Sequence, residues 1–287
     1  MTYGTNMHIE QSGDQNQTPG GTAMKDGHAF SYGHTAEFYD YIVPYDARED
    51  VGFYTSLAAE TGREVLELGC GTGRILLPVA REGLRVTGLD AEPAMLERCR
   101  SKLDGESAGV RERVTLVHGD MRDFSLGREF GLITTPFRSF QHLETVDDQT
   151  ACLGCVHRHL EDGGTFVLDL FNPSMAALLD ESRREEFGDE PEFVMPDGRR
   201  ILRRARVSSV DKAGQLMDCE FAYYVTHPDG STERLVHPFT MRYLFRFETE
   251  HLLARCGFRT VAVYGGFDRS PFGADWPGEQ ICLAVKA

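Results

Sequence analysis

Between residues 60 and 172, short apolar runs bounded by glycine or charge alternate with amphipathic stretches. Val65-Leu66-Glu67-Leu68 reads as a buried strand, a glycine-rich turn follows, and Arg74 to Arg81 carries helical spacing that Gly83 stops. Leu84 to Leu89 reads as a second strand, and Pro93 then opens a helix over AMLERCRSKL. Residues 114–120 and 130–137 supply a third and a fourth strand. DDQTACLGCVHRHLEDGG reads as a helix ending at Gly163-Gly164, with a fifth strand over 165–171. Strands alternating with helices predict a parallel sheet covered on both faces. Upstream, AEFYDYIV alternates aromatics with acids from Ala36 and reads as a helix leading into the domain.

After Asn172-Pro173 the period changes. Residues 192–246 alternate in period two, with turns at Asp197-Gly198, Ala213-Gly214 and Asp229-Gly230, which predicts three or four antiparallel strands. ETEHLLARCGF returns to helix, and FRTVAVYGG and QICLAVKA read as two last strands. The expected organisation is a core over 27–172, an antiparallel insertion over 173–246, and a return to the core over 247–287. Residues 1–26, rich in Gly, Gln, Asn and Thr, cannot bury enough surface to offset their ordering entropy and read as a disordered tail, with Met24 a candidate start of the folded part.

Composition narrows the function. The 287 residues are 41% hydrophobic and 26% charged, the balance of one elaborated globular domain or two small ones. Forty-five acids against 30 bases give a net charge of −15, which argues against nucleic acid as a partner and suits small cationic ligands. No apolar run has membrane-spanning length. Seven cysteines and no leading apolar segment fit a reduced, cytoplasmic compartment.

The decisive segment is Glu67-Leu68-Gly69-Cys70-Gly71-Thr72-Gly73. Glycines after a buried strand let the backbone approach a ligand, and the next helix presents free amides. The spacing is G-x-G-x-G, not the G-x-G-x-x-G of a dinucleotide fold, and a carboxylate two residues ahead would repel a pyrophosphate while suiting an ammonium. Asp90, at the end of the second strand, can take two vicinal hydroxyls, or cap the following helix. Asp120 offers an acceptor to an exocyclic amine and the Met121 amide a donor to a ring nitrogen, unless Asp120 is a plain turn carboxylate.

On these residues, VLELGCGTG, Asp90, Gly119-Asp120-Met121 and Pro136-Phe137, the sequence resembles the class I S-adenosylmethionine-dependent methyltransferases over about residues 60–172 and the last helix and strands. The resemblance implies an α/β fold: a Rossmann-like seven-stranded, mostly parallel sheet with an inserted antiparallel β substrate lid. It implies S-adenosyl-L-methionine as cofactor, held by Tyr39, Glu67, Gly69, Gly71, Gly73, Arg74, Asp90, Met95, Asp120, Met121 and Pro136.

Other motifs receive plainer readings. Cys152, Cys155 and His159 share one helix face and look like packing on a sheet, not a metal site. The arginines between Arg199 and Arg206 read as a solvated strand edge, and DESRREEFGDEPE as a solvated linker.

After the fourth strand the chain reads Thr134-Thr135-Pro136-Phe137-Arg138, without the Asn or Asp that would grip a base or amide nitrogen. Phe137 can instead set its ring face against a sulfonium methyl or a cationic amine. This is similar to small-molecule N-methyltransferases of natural-product tailoring, the lincosamide-antibiotic N-methyltransferases among them. The resemblance implies Phe137, Tyr32 and His142 at the reacting centre, and Arg138, Gln141, Tyr224 and Arg242 on the acceptor, with alternation admitting one of each adjacent pair Tyr223/Tyr224 and Arg242/Tyr243. The expected partner is a small-molecule amine, with room for a homo-oligomer. The competing readings are O-methylation of a similar molecule, a cofactor-binding regulatory subunit without catalysis, and a nicotinamide dehydrogenase.

Overall fold

The computed structural model describes residues 33, 35–42, 45, 48–188 and 190–287. The tail over 1–26 and Tyr32 lie outside the described residues. Seven strands form one sheet: β1 (Val65–Leu68), β2 (Val86–Asp90), β3 (Val114–His118), β4 (Phe130–Thr135), β5 (Leu160–Phe171), β10 (Phe258–Tyr264) and β11 (Glu279–Lys286). Their order is β10-β11-β5-β4-β1-β2-β3. The first five run parallel, and β11 inserts antiparallel to both β5 and β10. β1 and β4 are buried along their whole length, which is why they read as apolar runs without alternation. Alternation decides only the face: Leu66, Leu68 and Ile133 join one core cluster, while Val65, Leu132 and Val167 join the other.

The strand order reverses between β1 and β4. Connections leave the sheet to opposite sides there, so a crevice opens at the carboxyl ends of these two strands. Five helices cover the faces: α1 (Asp50–Thr61), α2 (Leu76–Arg81), α3 (Pro93–Asp104), α4 (Val146–His159) and α5 (Arg246–Arg255). Cys152, Cys155 and His159 are buried on the sheet-facing side of α4, and His159 accepts the Leu126 N–H at 3.0 Å.

A second sheet has the order β6-β7-β8-β9, from β6 (Phe193–Val194), β7 (Arg200–Asp211), β8 (Leu216–Thr226) and β9 (Thr232–Arg242). All its pairings are antiparallel. A 3-10 helix over Ala36–Tyr41 packs on it, with Phe38 and Ile42 buried among Phe193, Ile201, Tyr223 and Val225. Asp40 of that helix accepts from Thr72 Oγ1 (2.6 Å) and Lys102 Nζ (2.7 Å), tying it to the glycine turn and to α3.

Three local readings change. Gly163-Gly164 does not stop a helix: α4 ends at His159 because Leu160 is already buried and paired with Phe130, and the glycines form a bulge where the register jumps to Leu132–Thr165. α1 has no counterpart in the sequence pattern, since Gly52 and its hydroxyl residues blur the period that Phe53, Tyr54, Leu57 and Ala58 carry. Asp90 is not the cap of α3; Glu92 holds that place, with Pro93 after it.

The register fixes which tyrosine of the Tyr223/Tyr224 pair is inside. Tyr223 is buried against Phe38 (ring centroids 5.4 Å), whereas Tyr224 is 38% exposed and donates its hydroxyl to Glu186. Tyr223→Ala should therefore cost about 3–5 kcal/mol of stability, the range for truncating a buried aromatic. Tyr224→Ala should cost under about 1 kcal/mol, as for an exposed polar pair. Denaturant midpoints of the two variants check this, and equal losses would contradict the register.

Candidate functional site

The turn after β1 is shaped by residue type. Gly69 (φ 71°) lies so close to the loop after β4 that a Cβ there would sit 2.5 Å from Ser139 Oγ. Gly71 (φ 53°) has nothing within 4 Å of the position a Cβ would take, and its N–H donates to Asp90 Oδ2 at 2.7 Å. Both glycines line the crevice, while Gly73 lies behind the turn against Cys99. Asp90 Oδ1 also accepts the Glu92 N–H (2.8 Å), so two backbone amides aim the carboxylate. Burial raises its pKa, and these two amides pull it back. Glu67, 3% exposed, is pushed by burial well above the usual carboxylate range, with the Arg74 guanidinium acting in the other direction.

At the end of β4, Phe137 (φ 54°) and Arg138 (φ 68°) are both left-handed, a conformation that costs non-glycine residues roughly 1–3 kcal/mol each. Buried Asp169 of β5 holds the turn by accepting the Phe137 N–H at 3.0 Å. Burial lifts the Asp169 carboxyl to about 6, although Arg48 at 3.4 Å favours its ionised form. The Phe137 ring is faced by the guanidinium carbons of Arg74 (4.9 Å) and Arg48 (5.2 Å), and Tyr45 meets it edge-on at 4.7 Å. Tyr39 stands farther off at 6.4 Å. Both arginines are anchored on Asp50, which is fully buried at the start of α1: Arg74 binds it through two nitrogens (2.7 and 2.6 Å) and Arg48 through Nε (3.0 Å).

Apart from Asp50 and Asp169, which lie behind its wall, these side chains line a cavity of about 980 Å³. One end is walled by the glycine turn, Asp90, Met95, Asp120 and Met121; the other by Phe221, Phe239 and Met241 of the antiparallel sheet. This volume lies at the upper end of the range of about 300–1,000 Å³ for small-molecule sites. Tyr39, Glu67, Arg74, Pro136, Phe137, Arg138 and His142 all line it. His142 donates Nδ1–H to the Thr240 carbonyl at 3.3 Å, and burial lowers its pKa to about 4. Asp120 is not an open acceptor, because Arg122 grips it through Nη2 at 2.6 Å, holds it below the usual carboxylate range and also reaches Asp148.

Three residues expected on the acceptor lie outside the cavity. Tyr224 faces away on the opposite side of β8. Gln141 is buried and stitches the two sheets, donating to the Arg242 carbonyl (2.9 Å) and accepting the Phe171 N–H. Arg242 donates to the Glu144 carbonyl at 2.8 Å. Conversely, Tyr45, Arg48, Glu190 and Arg203 line the cavity without having been expected there. Arg203 is no solvated edge residue: it is 4% exposed, donates Nε–H to Glu190 Oε2 (2.7 Å) and stacks on Tyr45 (4.7 Å) and Phe221 (4.5 Å). A signal was available, since Arg203 shares its strand face with the fully buried Ile201. Glu190, read as part of a solvated linker, is its partner.

The donor set fits S-adenosylmethionine. A carboxylate fixed by two amides suits vicinal hydroxyls, buried Glu67 suits an ammonium, and the bare Gly71 backbone leaves room for close approach. Residues 65–164 match a methyltransferase domain family. The chain is 28% identical over 206 residues to a dTDP-3-amino-3,4,6-trideoxy-alpha-D-glucopyranose N,N-dimethyltransferase of Streptomyces venezuelae, covering 70% of this chain and 78% of that one. It is 33% identical over 155 residues to a cypemycin N-terminal methyltransferase of a Streptomyces species, covering 54% and 57%. Its fold is similar to that of CalS10, an amino pentose methyltransferase from Micromonospora echinaspora solved with S-adenosylmethionine bound (TM-score 0.65, 23% identity, 87% of this chain and 96% of that one). The glycine turn, the strand order and these matches agree on a methyltransferase domain over residues 65–164, of the class I S-adenosylmethionine-dependent kind.

Proposed function

We propose that the protein methylates an amine nitrogen of a small molecule in natural-product biosynthesis, with the antiparallel sheet as the acceptor's side of the site. The observation that carries this reading is one continuous cavity, lined by the glycine turn, by Phe137 and by Phe221, Phe239 and Met241. Bound at the glycine turn, S-adenosylmethionine supplies an electrophilic methyl group. Gly69, Gly71 and Asp90 hold it, Glu67 takes its ammonium, and Met95, Met121 and Pro136 add apolar wall. The aromatic face of Phe137, pinned by Asp169 and by two guanidiniums, confines the reacting nitrogen. Such transfer moves charge without creating it, so positioning and exclusion of water matter more than an added acid or base.

Nitrogen is favoured over oxygen by the state of His142. With its pKa lowered to about 4, it is neutral at physiological pH and a weak base for an alcohol, whereas an aliphatic amine needs only its own free-base fraction. The names of the sugar and peptide N-methyltransferases among the relatives point the same way. Tyr39, buried beside Tyr45 with its phenol pKa raised by that burial, serves as wall and not as base.

Asp90→Ala should weaken S-adenosylmethionine binding by about 1.5–3 kcal/mol, the loss of a charged acceptor. Calorimetry on the folded variant measures it, and unchanged affinity would remove Asp90 from the cofactor site.

Phe137→Ala should slow turnover about a hundredfold and Phe137→Tyr much less, because the ring acts by placement. His142→Ala should lose about tenfold or less, against the roughly 10²–10⁴ of a true general base. Since His142 is already neutral above about pH 5, the wild-type rate should show no inflection near 6.5 and should climb toward the amine's own pKa, about 8–10. His142→Ala should follow the same profile, and an acid limb that disappears with the imidazole would make the histidine a catalytic base.

A further inference from the structure

We propose that the acceptor amine enters this cavity on a scaffold without phosphate, neutral or cationic, and that the Arg203–Glu190 pair sets this selectivity. The inference rests on the preceding reading of the antiparallel sheet as the acceptor's side. Binding a diphosphate is driven by guanidinium or ammonium groups whose charge is not already neutralised by carboxylates. Among the described residues five arginines line the cavity, and the charge of each faces a carboxylate: Arg48 and Arg74 bind Asp50, Arg122 binds Asp120 and Asp148, Arg203 binds Glu190, and Arg138, whose Nε has no hydrogen-bond partner, stands 3.6 Å from Glu279. Among the described residues no lysine lines it, while seven carboxylates do.

On the acceptor side the decisive cation is Arg203. Three of its five N–H donors are engaged, Nε–H and one on Nη2 by Glu190 and one on Nη1 by the Tyr45 hydroxyl (2.5 Å), with aromatic rings at 4.5 and 4.7 Å. A diphosphate at this guanidinium would meet a charge already neutralised by Glu190 and would stand beside that carboxylate, or would have to displace it from a largely buried ion pair. The net charge of −15 adds repulsion at long range. The same field draws in an ammonium, and the Phe221, Phe239 and Met241 wall offers an apolar face to the body that carries it. The relative that acts on a dTDP-linked amino sugar therefore marks a substrate form that this cavity refuses.

The test titrates dTDP into the full-length protein at low salt with S-adenosylhomocysteine present, so that the adenosine site is blocked. Wild type should show no binding up to about 1 mM, whereas Glu190→Gln, which keeps the side-chain shape but removes the neutralising charge, should bind at least about tenfold tighter. Wild-type affinity for dTDP below about 100 µM would overturn the proposal whatever the variant does. So would a folded Glu190→Gln protein as indifferent to dTDP as wild type, or a higher kcat/KM for a dTDP-linked amino sugar than for the same free amine. Failure of every amine, free or linked, to be methylated would instead sink the amine-transfer reading, and the dTDP titration would still decide whether the cavity excludes phosphate.

Discussion

A carboxylate with no exposed surface, Asp50, binds two guanidiniums, and those guanidiniums stand against the aromatic ring at the centre of the cavity. Through it the start of α1, the glycine turn carrying Arg74 and the β4–β5 edge carrying Phe137 and Asp169 become one object. Buried ion pairs repay their desolvation only when geometry is good and the remaining donors are used, and here Arg48 extends the network to Asp169 and Glu279. Losing one partner of such a group strands the others and typically costs about 3–5 kcal/mol. Two consecutive left-handed residues at Phe137 and Arg138 are tolerable because this network and the Asp169–Phe137 hydrogen bond over-determine them.

The crevice follows from topology and the chemistry from what is aimed into it. Reversal of strand order between β1 and β4 puts the glycine turn and the Pro136–Phe137 turn side by side, whatever their sequences. The antiparallel sheet closes the far side, fastened by Gln141 to the core and by the 3-10 helix to the glycine turn. Burial sets the protonation of the walls and of the group behind them: it leaves His142 neutral and raises Glu67 and, behind Phe137, Asp169. No group so tuned is needed as a proton shuttle when the nucleophile is an amine present as its free base.

Much of this was legible in the sequence, for identifiable reasons. A strand buried on both faces followed by G-x-G-x-G leaves few alternatives, because only glycine fits Gly69 against Ser139. The period-two insertion and its Asp-Gly and Ala-Gly turns were equally plain. The rest failed where the sequence lacks phase or partners. Both tyrosines at 223 and 224 suit a strand, and only packing against Phe38 chooses between them. Arg203 and Glu190 each look solvated until the fold sets one against the other under two aromatic rings. Gly163-Gly164 resembles a helix stop, yet the pairing of Leu160 with Phe130 comes first. Asp120 read as an open acceptor because nothing in the chain announced that Arg122 would fold back on it.

The central claim is that a pinned aromatic ring lies where two ligands meet in one cavity. A crystal structure of the protein with S-adenosylhomocysteine measures this most directly. The account predicts the ribose hydroxyls on Asp90, the amino group toward Glu67, and the sulfur opening toward the Phe137 ring with the Asp169 hydrogen bond intact. A ribose elsewhere, or a sulfur turned away from Phe137 and from the antiparallel sheet, would contradict it.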